Sequence, residues 1–294
     1  MRGAVVIDRW LMTPAPAVRL AVFRIMVGLF AAGYLVARLS VLLAMGDESD
    51  GEWRPVGVLW WLHDPLPQWA IRCAVVATIA LALAFAAGVG FRVIGPTFAV
   101  ALLFVTTYRT SGGQLLWFDN LLVLHALVLG CSRAGDALRL GRPLPVAESP
   151  RYGWPLRAAA IVTVTTYWIA GVAKLRNGGV AWLDGESLRN HVAYSATRLR
   201  VMGGTSSPLA EPMMSLDWIF TPLAVATITI ELGAPLVLVL SRLRVPWVAT
   251  VWCMHAAIAA TMFVVFPYPL TLIAFAPLFQ LERLLPAHRG ASRR

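Results

Sequence analysis

The chain alternates long apolar blocks with short polar ones. Most blocks approach the roughly 20 residues with which an α-helix crosses roughly 30 Å of hydrocarbon. Lipid gives the backbone no hydrogen-bond partners, so such blocks close their bonds internally as helices. The ~10-residue alternation of an outer-membrane barrel is absent. The pattern predicts about eight spans, at residues 17–44, 69–89, 94–108, 117–131, 156–175, 218–240, 246–266 and 270–281. The third, fourth and last are short. The first is too long for a signal-peptide core and lacks a small-residue cleavage site, so it is expected to stay as an anchor. The expected fold class is an all-α, polytopic transmembrane helical bundle. It is read as one domain over 1–294, with its membrane part at about 15–285 and no large extramembrane domain.

The polar segments give the bundle a direction. Arginine collects in alternate segments: Arg2 and Arg9; Arg92; Arg133, Arg139, Arg142, Arg151 and Arg157; Arg242 and Arg244; then Arg283, Arg289, Arg293 and Arg294. The first opposite segment holds Asp47, Glu48, Asp50, Glu52 and Asp64 against Arg54. The segment 177–217 is mixed, with Arg189, Arg198 and Arg200. Cytoplasmic flanks are the Arg-rich ones. Both termini are therefore expected in the cytoplasm, in a multi-pass protein of the cell membrane. Trp10, Trp60, Trp61, Trp69, Trp117, Trp182 and Trp218 fall near predicted span ends, as in an aromatic belt.

Composition agrees. Hydrophobic residues make up 59% and charged residues 14%, against roughly 25% charged in soluble domains. The net charge of +10 follows from the arginine-rich side, and the expected partner is the lipid bilayer, not nucleic acid. Cys73, Cys131 and Cys253 show no CxxC or ligand spacing and read as buried, inert thiols, so no metal is expected. No phosphate loop, dinucleotide fingerprint or HExxH is present. Pro143, Pro145 and Pro150 punctuate a linker at 141–150.

Candidate chemistry lies in ionisable residues that interrupt the apolar blocks: Arg24, Arg38, Asp119, His125, Lys174, Glu231 and His255. Such residues are costly in hydrocarbon and face the bundle interior. The 1.5 Å rise per residue sets Arg24 and Glu231 at similar depths. They are expected to form a structural ion pair, with His255 nearby. Gly28 and Ala32 continue the Arg24 face and allow close helix contact. Asp119 and Asn120 open the fourth span, and His125 is turned away from Asp119. Tyr167, Gly171 and Lys174 follow i, i+4, i+7 spacing and share a helix face near the outer end. Lys174 is the only lysine, against 24 arginines. A desolvated lysine can lose its proton and act as base or nucleophile, which arginine cannot. The competing role is a cation snorkelling at a helix end. Residues 186–200 are predicted as an amphipathic helix at the membrane interface, with Leu188, Val192 and Leu199 on its apolar side, roofing Lys174.

At these residues a family resemblance appears. Tyr167-Trp168-Ile169-Ala170-Gly171-Val172-Ala173-Lys174-Leu175, followed by Trp182-Leu183-Asp184-Gly185, resembles the membrane part of vitamin K-dependent γ-carboxylase, the HTTM domain. Arg24-Ile25-Met26-Val27-Gly28 resembles its opening motif, and Glu231-Leu232-Gly233-Ala234-Pro235 its acidic span. His255, Phe266-Pro267-Tyr268 and Ala276-Pro277-Leu278-Phe279 resemble its closing spans. The resemblance implies that Lys174 is the base that deprotonates a quinol, of menaquinone or vitamin K type. The substrate would be a secreted protein or peptide at the extracytoplasmic face. It further implies catalytic roles for Lys174, Asp119 and Asn120, and a pocket of Tyr167, Gly171, Trp182 and His255. Three departures stand out. Ala173 replaces the first of two lysines, Asn120 stands where the family has a histidine, and the carboxylase's large extramembrane region has no counterpart. Glutamate carboxylation is therefore not expected without a partner protein. A non-enzymatic membrane subunit or scaffold for maturing a partner is the alternative, and a transporter, for which no inverted repeat is evident, the third.

Overall fold

The computed structural model describes residues 8–45, 53–113, 119–140 and 147–284. Arg2, Asp47, Glu48, Asp50, Glu52, Trp117, Arg142, Pro143, Pro145, Arg289, Arg293 and Arg294 lie outside them. The described residues are mostly helical. The chain, read above as one domain, forms two compact units: one from the residues up to Ala159 together with the segment from Phe279, the other Ala160–Leu278.

The first unit contains α1 (Ala17–Ala37), α2 (Leu39–Ala44), α3 (Gln68–Ala87), α4 (Phe91–Ser111), α5 (Asn120–Gly130) and the start of α6 (Pro150–Gly178). Helix α1 packs on α3 and α5, and α4 on both α3 and α5. Ala15–Pro16 pairs antiparallel with Glu148–Ser149. As expected, small residues set the α1–α3 approach. A Cβ on Gly28 would lie 2.8 Å from the Ala86 Cβ and 3.0 Å from the Ala82 carbonyl.

The second unit continues α6 and adds α7 (Val180–Leu183), α8 (Glu186–Val201), α9 (Ala210–Met214), α10 (Phe220–Leu232), α11 (Leu236–Val239), α12 (Arg244–Met262) and α13 (Pro267–Leu270). Helix α8 is the amphipathic element expected at 186–200. It buries Val192 against Ala210 and Phe220, with Leu188, Ala196 and Met262 around them. Helix α10 in turn packs on α7, α8 and α12.

Among the described residues, five helical segments are long and apolar enough to cross a membrane: Ala17–Ala37, Gln68–Ala87, Phe91–Ser111, Pro150–Gly178 and Ser241–Met262. Across the described helices, ionisable groups are buried while large apolar side chains are exposed. Arg24, Thr78, Thr106, Arg109, Asp119, His125, Thr163, Glu231 and His255 are buried, whereas Val76, Leu83, Val93, Val100 and Ile169 are exposed. Exposed apolar side chains along helices of this length need a nonaqueous neighbour, and a bilayer supplies it.

The remaining predicted spans differ in form. The first does not run unbroken to residue 44. Arg38 leaves helical dihedrals (φ −109°, ψ 13°), and its guanidinium stacks 4.6 Å from the Tyr34 ring centre. The fourth is the 11-residue α5, whose roughly 16 Å rise falls short of the hydrocarbon thickness. The sixth is interrupted after Leu232. The Pro235 ring excludes helical packing against the carbonyl four residues back and removes a donor. The last is not an α-helix: α13 gives way to a 3₁₀ segment, Ile273–Leu278, in a stretch punctuated by Pro267, Pro269 and Pro277. The cysteines are also corrected, because Cys73, Cys131 and Cys253 are all exposed at the protein surface. A thiol is apolar enough to sit on a lipid-facing helix.

Within the first unit, Arg19 holds Glu282 by two hydrogen bonds of 2.7 and 2.6 Å, tying the segment Leu281–Leu284 to α1. Burial pushes the Glu282 carboxyl up, but the bonds from Arg19 and the nearby Arg283 charge outweigh it and hold the group below its ordinary value of 4.5. A carboxylate with a depressed folded-state pKa stabilises above its unfolded pKa and loses that contribution as pH falls through the folded one. Thermal stability in detergent should therefore fall as pH drops below 4.5, and Glu282→Gln should flatten that part of the profile. Gly28→Val should cost about 2 kcal/mol by forcing α1 from α3, read as a lower unfolding midpoint.

Candidate functional site

The second unit gathers the strongest constellation of polar side chains. Helix α6 presents Tyr167, Gly171 and Lys174 along one face, as their spacing predicts. Gly171 brings α6 against the end of α10: a Cβ there would stand 3.0 Å from the Glu231 Cβ and 3.1 Å from a Leu232 methyl. One turn further on, Lys174 Nζ donates to both Glu231 oxygens, at 2.6 and 2.7 Å. The Glu231 side chain is 4% exposed and that of Lys174 22%, so the pair is sunk at its carboxylate while the lysine side chain is partly exposed. Nζ also lies 5.4 Å from the Trp182 ring centre, over the aromatic face that attracts a cation.

Local sequence explains the placement. Glu231 falls in the last turn of α10, where the helix dipole is negative and a carboxylate alone is unfavourable. Lys174 offsets that charge. As α10 ends, the Ala234 N–H turns to the Glu231 carbonyl at 3.3 Å, and the Ile230 carbonyl it leaves open accepts from Trp247 Nε1 at 3.0 Å. Gly185, at φ +91°, starts α8, and a Cβ there would meet the Phe220 backbone at 2.5 Å. Its lack of a side chain lets the Trp182–Gly185 turn approach α10.

A second polar pair lies beside the first. Tyr167 Oη and His255 Nε2 are 2.9 Å apart, both buried. Trp247 meets the Tyr167 ring edge-on at 5.3 Å and Phe275 stacks on it at 5.9 Å, while Phe266 sits 4.8 Å from the His255 ring. His255 Nδ1 has no hydrogen-bond partner among the described residues. Tyr167 lies within electrostatic range of Glu231, and His255 of Lys174, so the two pairs form one cluster.

The expected Arg24–Glu231 pair does not form, and His255 partners Tyr167. Glu231 has Lys174, and Arg24 lies in the other unit with acceptors of its own. Its Nη1 donates to the carbonyls of Ala134 and Ala137 at 2.6 and 3.0 Å, and its Nη2 to those of Ala86 and Leu138 at 3.1 and 2.7 Å. Carbonyls left open at helix ends and turns satisfy a guanidinium as a carboxylate would. Gly88, left-handed at φ +73°, keeps clear of Arg24 Nη1, which an added Cβ would meet at 2.9 Å.

Asp119 and Asn120 belong to the first unit. Asp119 precedes α5 without a side-chain bond to its backbone; instead Tyr34 Oη donates to one of its oxygens at 2.5 Å and Arg109 pairs with the other. Tyr34, Arg109 and Asp119 are all buried, and Arg109 also reaches Tyr34 Oη at 3.4 Å. Asp119 is thus spent on a buried network, and Asn120 is exposed. His125 is fully buried, 3.1 Å from the Ala159 carbonyl and edge-on to Phe23, off the Asp119 network as its helix angle predicts. Arg109 escaped the sequence reading because the third span was ended at Tyr108. One more residue of helix would have brought in an in-span arginine needing a carboxylate. Trp247 and Phe275 carried no comparable signal, since aromatic residues on apolar helices are common.

No protein-family profile, no curated protein and no solved structure matches the chain. The chemistry of the site therefore rests on its own geometry. A lysine gripped by a buried carboxylate, next to a tyrosine–histidine pair, is a unit that can hold or pass a proton. Titration of such a coupled pair belongs to both groups. Removing one member strands a buried charge, at a cost of about 3 kcal/mol, whereas removing both is far milder. Lys174→Met and Glu231→Leu should each lower the unfolding midpoint in detergent, and the double variant should recover most of the loss.

Proposed function

We propose that the chain is a multi-pass membrane protein of the HTTM, vitamin K-dependent carboxylase-like kind. Its Lys174–Glu231 pair takes a proton from a quinol-type hydroxyl. The observation that carries this reading is the grip of both Glu231 oxygens on the chain's one lysine, beneath the Trp182 ring. Lys174 alone was the expected base. In the pair, the division of labour changes. Glu231 supplies the basic oxygens, and the ammonium stands ready to stabilise the phenolate left as the hydroxyl loses its proton. Trp182 offers a flat face to an aromatic ring, and Tyr167 with His255 offers a second route for the proton. A quinol partitions into lipid, which suits a site on apolar helices.

In this reading the protein spans the cell membrane about eight times, with both termini in the cytoplasm. The interrupted segments after Leu232 and Leu270 count as irregular spans. The site then faces the extracytoplasmic side, where a secreted protein or peptide would be the final substrate.

One observation favours a second reading. Both Glu231 oxygens are already satisfied within the chain, so the pair also serves as a clamp between α6 and α10. A non-enzymatic subunit or scaffold needs nothing more.

The lone lysine makes the test direct. Protein reconstituted in liposomes is treated with an amine-reactive reagent with and without a menaquinone-type quinone, and labelling of Lys174 is read by mass spectrometry. A bound quinone should slow that labelling severalfold. Lys174→Arg should keep the fold and abolish the cellular phenotype. Absence of protection, together with an unaltered phenotype in Lys174→Arg, leaves the clamp.

A further inference from the structure

At the arginine-rich end of the first unit, the turn after α5 and the start of α6 enclose a cavity of about 340 Å³ lined by Cys131, Ser132, Arg133, Arg151 and Trp154. Arg133 and Arg151 bring two permanent cations to its lining. Neither has a carboxylate partner among the described residues. The nearby Asp136 receives the Tyr152 hydroxyl at 3.2 Å. Two cations facing one cavity repel, and an anion between them relieves that repulsion while accepting paired hydrogen bonds. The cavity wall is also firmly held, because Arg24 binds the Ala134 and Ala137 carbonyls immediately behind Arg133.

The surroundings distinguish a lipid from a free ion. Leu124, Val128 and Cys131 stand at i, i+4 and i+7, one face of α5. Leu124 and Cys131 are exposed and Val128 half-buried. An apolar stripe thus leads from the middle of an apolar helix to the mouth of a cationic cavity. Trp154, on the cavity wall, is half-buried, and its indole N–H has no acceptor among the described residues. An amphipathic ring with an open N–H suits the level of the headgroups.

We infer that this cavity binds the phosphate headgroup of an anionic lipid, gripped by Arg133 and Arg151, with an acyl chain lying along Leu124 and Val128. Basic recesses between membrane helices on the cytoplasmic side are suited to such headgroups. The site stands on the first unit alone and is independent of the acid–base reading of Lys174.

Cys131 on the wall provides the readout. The full chain carrying Cys73→Ser and Cys253→Ser is placed in nanodiscs of phosphatidylcholine, with or without phosphatidylglycerol, and its labelling by an uncharged maleimide is timed. Phosphatidylglycerol should slow labelling on the order of tenfold, the scale expected from two arginines near a headgroup. The combined R133Q and R151Q changes should abolish that protection. R92Q, an exposed arginine of α4 outside the cavity, should preserve it and so control for general surface potential. If the double variant fails to fold, R151Q alone should lose part of the protection. Equal labelling in both lipids overturns the proposal, as does protection that survives the loss of both arginines. Equal protection by inorganic phosphate in phosphatidylcholine discs overturns the lipid assignment in favour of a free anion.

Discussion

A charge placed among apolar helices has no water to fall back on, and this constraint organises the whole chain. Each buried ion must find its counterpart on another element, and that need fixes which elements touch. Lys174 and Glu231 are the sharpest case. Their contact brings α6 and α10 to a separation at which even a Cβ at position 171 would crowd Glu231 and Leu232. The same contact balances a carboxylate that would otherwise sit at the negative end of a helix. Sequence, helix termination and packing converge on one ion pair.

The first unit solves the same problem by two other routes. Arg24 places both of its Nη groups on four backbone carbonyls, without any acid. Those carbonyls exist because α3 and α5 end nearby and leave acceptors open. Asp119 is satisfied by Arg109 and Tyr34 together, an ion pair completed by a hydroxyl. Carbonyl cage, salt bridge with a phenol, and bidentate lysine pair are alternative answers to one desolvation cost. Only the last leaves a charged group partly open to a ligand, which is why the proposed chemistry lies there and not at Asp119.

Much of this was legible in the sequence, and the boundary has a physical cause. Apolar block length located the five long helices, because hydrophobic thickness imposes it. Periodicity placed Tyr167, Gly171 and Lys174 on one face, because 3.6 residues make a turn whatever the neighbours do. Small residues at Gly28 announced close packing. Depth arithmetic, in contrast, paired Arg24 with Glu231. Depth gives one coordinate of three and says nothing about which helices are neighbours. It also ignored the backbone as an acceptor, although in an apolar interior a free carbonyl competes with any carboxylate. The final predicted span is not a continuous α-helix, for a separate reason. Hydropathy averaged over 270–281 is high, but Pro277 inside it and Pro267 and Pro269 just before it interrupt an α-helix however apolar their neighbours are.

The pairing of Lys174 changes the mechanism more than it changes the site. An isolated amine acts as a base only if burial strips its proton. Opposed to a carboxylate, the same amine does better work as a cation, because it stabilises negative charge that forms beside it. In the proposed reaction the basic atoms belong to Glu231, and the lone lysine would answer a different need: a compact cation on a flexible stem beside the carboxylate. Arginine's fork would hold the carboxylate in a fixed bidentate geometry and keep its own charge permanently. The restriction of lysine to this one position thus fits a pair that must be exchangeable, whereas fixed pairs such as Arg109–Asp119 and Arg19–Glu282 use arginine.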